Sequence, residues 1–118
     1  MPDFSRLAAY RLALEFDRAA YHRVQEWREF DRDTTGRQLV RAAGSIGANI
    51  AEGSERDGGD RGRFAGIAAG SAAECRHWLA VAHLHGLFDA DVFRRLCELL
   101  TPCCDELRTL RRAWRAGR

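Results

Sequence analysis

Between Arg37 and Gly53 the chain reads RQLVRAAGSIGANIAEG, the least polar segment of its length in an arginine-rich sequence. Leu39, Ala42, Ala43, Ile46, Ile50 and Gly53 recur at steps of three and four, the period of an amphipathic helix. Arg37, Arg41, Ser45, Ala48 and Glu52 fall on the opposite side. Glycine in a helix interior costs about 0.5–1 kcal/mol relative to alanine, so Gly44 and Gly47 call for a reason. The pattern offers close packing, because a missing Cβ lets another helix approach the backbone. The spacing predicts a central helix gripped by its neighbours.

The flanking sequence supplies those neighbours. A first helix over about residues 4–30 carries two adjacent apolar faces, whereas a helix packed only within a monomer needs one stripe. One face is Ala9, Leu12, Ala13, Phe16, Ala20 and Trp27; the other is Leu7, Tyr10, Leu14, Tyr21 and Val24. The surplus fits either a second subunit or a broad core face with scattered exposed aromatics. Asp31 to Thr35 reads as a polar break, with Asp33 or Thr34 capping a second helix over about 34–53. Ser54–Gly62, SERDGGDRG, is the loop that follows, expected to be the most mobile segment.

A third helix over about 60–85 places Phe64, Ile67, Ala68, Ser71, Ala72, Cys75, Trp78, Leu79 and Ala82 on one side. Its AGIAAGSAA run, residues 65–73, is nearly all small and is the natural partner for the glycines of the second helix. Gly86 suits a left-handed helix end, and Asp89 caps a fourth helix over about 89–114. Pro102 lies in the stripe of that helix, and a kink near Leu99–Thr101 is expected. No strand-type alternation occurs, so the fold class is all-α: an antiparallel up-down-up-down four-helix bundle in a single domain, 1–118.

At RAAGSIGANIAEGSER the chain resembles the four-helix-bundle family encoded by intervening sequences in bacterial 23S ribosomal RNA genes. The matching residues are Arg41-Ala42-Ala43, Ser45-Ile46, Ala48 through Gly53, and Arg56; Gly47 stands where the family commonly has proline. A second block, Arg63-Phe64, Ile67-Ala68, Gly70-Ser71 and Ala73-Glu74, is similar to the family's RF-x-x-IA-x-GS-x-AE run. The resemblance implies a homopentamer with no known enzymatic activity. The same bundle is used by accessory proteins of diversity-generating retroelements, which implies a reverse transcriptase as an alternative partner.

Composition narrows the function classes. All 19 basic residues are arginine and the net charge is only +2, so attraction for phosphate has to come from local clustering. No run of about 18 apolar residues suggests a membrane span. The amino-terminal MPDFSRLAAYR lacks the apolar core of a signal peptide, which makes a cytoplasmic location the expectation and Cys75, Cys97, Cys103 and Cys104 reduced thiols. Neither CxxC nor HxxxH spacing is present, and no metal or other cofactor is expected. Cys97 and Cys103 read as small core hydrophobes.

Ser45, Asn49 and Glu52 share a helical neighbourhood with no nearby histidine to act as base, so no catalytic residue is assigned. Asn49 and Glu52 read as hydrogen-bonders joining the end of the second helix to the loop or to a neighbour. Together with Gly44, Ser45, Ile46, Gly47, Ile50 and Gly53 they form the packing signature.

The remaining arginines read equally as a solvated charged tail or as a phosphate-binding surface, and the homopentamer that the resemblance implies favours phosphate contact by repeating the patch. Arg108, Arg111, Arg112, Arg115 and Arg118 follow one another with no acid after Glu106, and Arg37, Arg41 and Arg56 form a second group around the signature. Trp114 in the basic run could stack on a base or fill the core. The expectation is a homo-oligomeric protein that binds structured RNA or another nucleic acid, the alternative being an interaction scaffold.

Overall fold

A computed structural model describes residues 3–118; Met1 and Pro2, part of the amino-terminal stretch read above, lie outside the described residues. Four long helices form the bundle: α1 (Ala8–Val24), α2 (Arg37–Ser54), α3 (Asp60–Leu84) and α4 (Ala90–Arg115). Each packs on its neighbour in sequence, and α4 closes the ring against α1. Contacts fix the directions. Ser45 of α2 meets Ser71 of α3, and Arg41 meets Glu74, so the two run antiparallel. Gly62 at the start of α3 lies beside Arg115 at the end of α4, and Tyr10 early in α1 beside Gly47 late in α2. The Cys103 thiol of α4 reaches the Ala9 carbonyl of α1, and farther up α1 Ala19 and His22 border one recess with Leu99. The fold is the expected all-α four-helix bundle, with no strand among the described residues.

The core follows the sequence pattern closely on α2. Leu39, Ala42, Ala43, Ile46 and Ile50 are buried, facing Phe16 of α1, Leu79 of α3, and Leu100 and Leu107 of α4. On α3 the expected side is right except for Ile67, which is exposed. Small residues surround that helix on nearly every face, so apolar spacing alone does not say which side is inside.

The first helix departs from expectation. It does not reach residue 30: α1 ends at Val24, a turn follows over Gln25–Arg28, and Arg28 is extended. From Glu29 the chain is helical again, first as a short turn (Glu29–Asp31), then as a π-helical turn (Arg32–Gly36), then as α2. The polar run Asp31–Thr35 is therefore not a break, and neither Asp33 nor Thr34 caps a helix. Thr34 Oγ1 instead donates back to the Phe30 carbonyl at 2.8 Å, and Arg37 Nε to the Asp33 carbonyl at 3.4 Å. Polarity here marks a solvated helical surface. The turn is tight because Gly36 has no side chain: a Cβ there would sit 2.6 Å from Val24 Cγ1. Phe88, from the turn between α3 and α4, covers this end with its ring 5.6 Å from that of Trp27.

The loop expected over Ser54–Gly62 is shorter, since helix resumes at Asp60, and at the α3–α4 connection the sequence reading holds. Gly86 adopts φ +70°, and the Leu87 amide reaches back to the Ala82 carbonyl at 2.9 Å, a left-handed helix end. Asp89 Oδ1 accepts from the Val92 amide at 2.9 Å and caps α4. Pro102 lies on the exposed side of α4 rather than in its buried stripe, and the helix is continuous through it. Pro102 has no amide to offer the Glu98 carbonyl, and the preceding Thr101 hydroxyl donates to the Cys97 carbonyl at 2.9 Å.

The glycines divide differently from expectation. Gly44 is exposed and a Cβ on it would meet nothing within 4 Å, so close packing does not explain it. Gly47 is buried, and a Cβ on it would make only ordinary contact with Tyr10 and Leu14, at 3.6–3.7 Å. The tight position is Gly53, where a Cβ would lie 2.6 Å from Trp114 and 2.9 Å from Phe64 Cβ. Trp114 is itself 4 % exposed and cannot step aside. It belongs to the core and does not offer its face to a base.

Cys75 and Cys103 are fully buried, as read for Cys103, while Cys97 and Cys104 are half-buried at the surface of α4. Burial pushes the Cys75 and Cys103 thiols up to about 12. An alkylating reagent at neutral pH should therefore modify Cys97 and Cys104 in the native chain and all four cysteines only in denaturant, counted by mass spectrometry. The unfolded thiols ionise near 9.0 while the folded ones stay protonated, so this contribution to stability is intact below pH 9 and declines toward pH 12. Gly44→Ala should stabilise the chain by about 0.5–1 kcal/mol through helix propensity. Gly53→Ala should cost about 1–3 kcal/mol by overpacking, both read by denaturant unfolding.

Candidate nucleic-acid interface

The small residues of α3 do their structural work on two sides. Toward α2, Ser71 is the one buried polar side chain of the core among the described residues, and its hydroxyl shares a hydrogen bond with Ser45 at 2.8 Å. Asn49 Nδ2 donates to the Ser45 carbonyl at 2.8 Å and to its hydroxyl at 3.0 Å. Asn49 therefore supports Ser45 within α2 and does not reach the loop. Glu52 does reach it: the carboxylate is exposed and pairs with Arg56, whose guanidinium lies 5.2 Å from the Phe64 ring centre. Ser45 and Asn49 serve the α2–α3 seam, and Glu52 the connection that follows.

Toward α4, the same small residues leave a groove. Two recesses lie along it. One, of about 310 Å³, is lined by Ala69, Ala72, Arg76, Cys104, Arg108 and Arg111, among others. The other, of about 390 Å³, is lined by Gly59, Gly62, Arg63, Gly66, Arg111 and Arg115, with Ile67. Arg111 borders both. It lies flat across the α3 backbone, and a Cβ on Gly66 would meet its Nη2 at 3.3 Å and its Nε at 3.4 Å. Likewise a Cβ on Gly62 would meet Arg115 Cγ at 2.9 Å. Glycines at these two positions let the Arg111 guanidinium and the Arg115 stem pack directly on main chain.

Charge in the groove is largely uncompensated. Arg63 faces Asp60 at 3.6 Å and Arg108 faces Asp105 at 3.2 Å, both exposed pairs of little strength. Arg76, Arg111 and Arg115 form no ion pair with any described carboxylate. The Cys104 thiol beside Arg76 raises that arginine's pKa further, so the guanidinium stays charged. Arg111 Nε and Arg61 Nε are buried without a hydrogen-bond partner among the described residues. For Arg61 the guanidinium lies over the Trp114 ring at 5.0 Å, which accounts for its position.

The predicted arginines thus separate. Arg108, Arg111 and Arg115 line the groove, while Arg112 is exposed beside it and borders neither recess. Arg37 turns back on its own helix at Asp33. Arg41 pairs with Glu74 across α2 and α3, and also donates to Gln38 Oε1 at 3.2 Å. Glu74 accepts from the Trp78 indole at 3.0 Å; that bond first, and then Arg41, hold its carboxyl below the usual range against an opposing effect of burial. The Arg41–Glu74 pair joins α2 to α3 at the surface. Arg56 lies near Phe64, whose ring also carries Arg63 at 4.6 Å, at the same end of the bundle as Arg61 and Arg115.

Sequence reading missed Arg63 and Arg76. The signal was available in the small residues themselves: Gly62, Gly66, Ala69 and Ala73 step along α3 by three and four, marking a bare face that Arg63 and Arg76 flank. Among the described residues no three His, Cys, Asp or Glu side chains come together as a metal site, and no helix is long and apolar enough to cross a membrane.

No functionally curated protein matches this sequence. The fold is similar to a 1.70 Å crystal structure of a protein with unknown function from the S23 ribosomal protein family of Bacteroides thetaiotaomicron. The two superpose with a TM-score of 0.78 at 21% sequence identity, over 87% of this chain and 97% of that one. At that identity the likeness is one of fold. The model of the 23S rRNA-intervening sequence protein family matches residues 5–109, which contain the α2 signature and most of the arginine groove. This chain belongs to the 23S rRNA-intervening sequence protein family.

Proposed function

We propose that this chain is a non-enzymatic, self-associating bundle that binds structured RNA through the α3–α4 groove. The observation carrying the reading is the set of arginines along that groove, three of them without a carboxylate partner, over a surface of glycine and alanine backbone. Guanidinium forks bind phosphate oxygens in pairs, and a surface without projecting side chains lets a sugar–phosphate strand approach them. The family is not a known enzyme family, and no arrangement of nucleophile and base was found at the signature residues.

Self-association rests on a separate feature. Leu14 and Tyr21 of α1 are 45% and 51% exposed, although Leu7 and Tyr10 of the same expected face pack inward and Val24 is buried. The exposed part of that face is the surface through which copies would meet. Repeating the groove around an oligomer would multiply weak phosphate contacts by avidity.

Gel mobility of a structured RNA at several salt concentrations tests the binding reading. Affinity should fall steeply with salt, and Arg115→Gln or Arg63→Gln should each reduce the slope of log K against log salt by about 0.7–0.9, the share of one phosphate contact. Arg41→Gln should leave the slope unchanged. Absence of binding at low salt would overturn the reading, and light scattering that found only a 13.3 kDa particle would overturn self-association.

A further inference from the structure

Within the groove the recess around Cys104 differs from the rest. It is bordered by Arg76, Arg108 and Arg111, and its lining includes no carboxylate. Asp105 stands just outside, paired with Arg108 and also acting on Arg76. Three guanidinium groups border the recess against one nearby carboxylate, so its surroundings are net positive. The remaining wall, Ala72 and Leu107 among it, is apolar, and the volume of about 310 Å³ is at the lower end of cavities that hold small organic ligands.

We infer that this recess is a phosphomonoester site that takes the terminal 5′-phosphate of a nucleotide. The inference rests on the RNA-binding reading and narrows it to one position on the strand. An internal phosphodiester carries a single charge and is matched by one arginine fork. A terminal phosphate carries about 1.5–2 negative charges at neutral pH and three acceptor oxygens, which suits the charge and the three guanidinium groups present here. The apolar wall accommodates the adjoining nucleoside. The same chemistry could be presented by a free nucleotide or by an RNA 5′ end.

Cys104 gives the recess a built-in reporter, since its half-buried thiol lines the cavity while Cys75 and Cys103 are shut in the core. The experiment follows the rate of Cys104 alkylation by iodoacetamide, by peptide mass spectrometry, on the full chain. The probes are one RNA oligomer with a 5′-phosphate, the same oligomer with a 5′-hydroxyl, AMP, adenosine and inorganic phosphate. At matched concentrations below saturation, the 5′-phosphorylated oligomer should bind about tenfold more tightly by protection than the hydroxyl form, which corresponds to about 1.4 kcal/mol. Arg111→Gln and Arg108→Gln should each erase that difference, with helicity checked by circular dichroism, whereas Arg18→Gln on α1 should not. Protection by AMP beyond that by inorganic phosphate assigns the site to free nucleotides as well; protection by the oligomer alone assigns it to RNA ends. Equal protection by the two oligomers would overturn the inference and leave RNA binding standing, as would protection by inorganic phosphate equal to that by AMP. If neither oligomer shifts in a gel, the RNA-binding reading fails, and the AMP arm alone then decides the recess.

Discussion

The bundle depends on how closely α3 approaches its neighbours. At Gly53 the end of α2 presses on Trp114 and Phe64, and at Gly62 and Gly66 the backbone of α3 lies directly under arginines of α4. Interiors are packed to the density of organic crystals, so a methyl group added at such a place has to displace something. Trp114 is held between α2 and the Arg61 guanidinium, and this end of the molecule is a stack of ring, cation and bare main chain. The same bareness that admits the neighbouring helix also removes side chains from the α3–α4 surface. Packing and the arginine-lined groove are two results of one residue choice.

Register between α2 and α3 comes from a different kind of contact. Ser45 and Ser71 meet between helices that otherwise present alanine, glycine and isoleucine to each other. An unpaired hydroxyl in that layer would be costly, so a slip of one helical turn along the seam is disfavoured by more than lost apolar contact. Asn49 occupies the other side of Ser45, and a short distance along the seam Arg41, Glu74 and Trp78 repeat the device at the surface. The family signature reads, in this light, as a packing code with polar pins.

Much of this was legible in the sequence. The α2 core positions, the left-handed end at Gly86 and the cap at Asp89 follow from local spacing and local backbone chemistry, which a single helix or turn dictates by itself. What was not legible depended on partners distant in sequence. Gly44 and Gly53 look alike in the primary structure, yet only Gly53 meets Trp114. Asp31–Thr35 carries the composition of a break, yet the chain turns earlier, over Gln25–Arg28, and is closed there by Gly36 packing against Val24 from the following helical segment. The basic run after Glu106 contains Arg108, Arg111 and Arg115, which line the groove. Arg63 and Arg76 came from the other helix, and Arg41 was claimed by Glu74, neither of which the run itself could indicate.

The central claim is that the glycine at position 53 exists to seat Trp114, and that this contact holds the α2, α3 and α4 ends together. A double-mutant cycle on folding stability, pairing Gly53→Ala with Trp114→Leu, tests it most directly. The smaller side chain makes room for the added methyl, so the alanine should be markedly less costly in the Trp114→Leu background, with a coupling of about 0.5–3 kcal/mol. Equal costs in the two backgrounds would contradict the account.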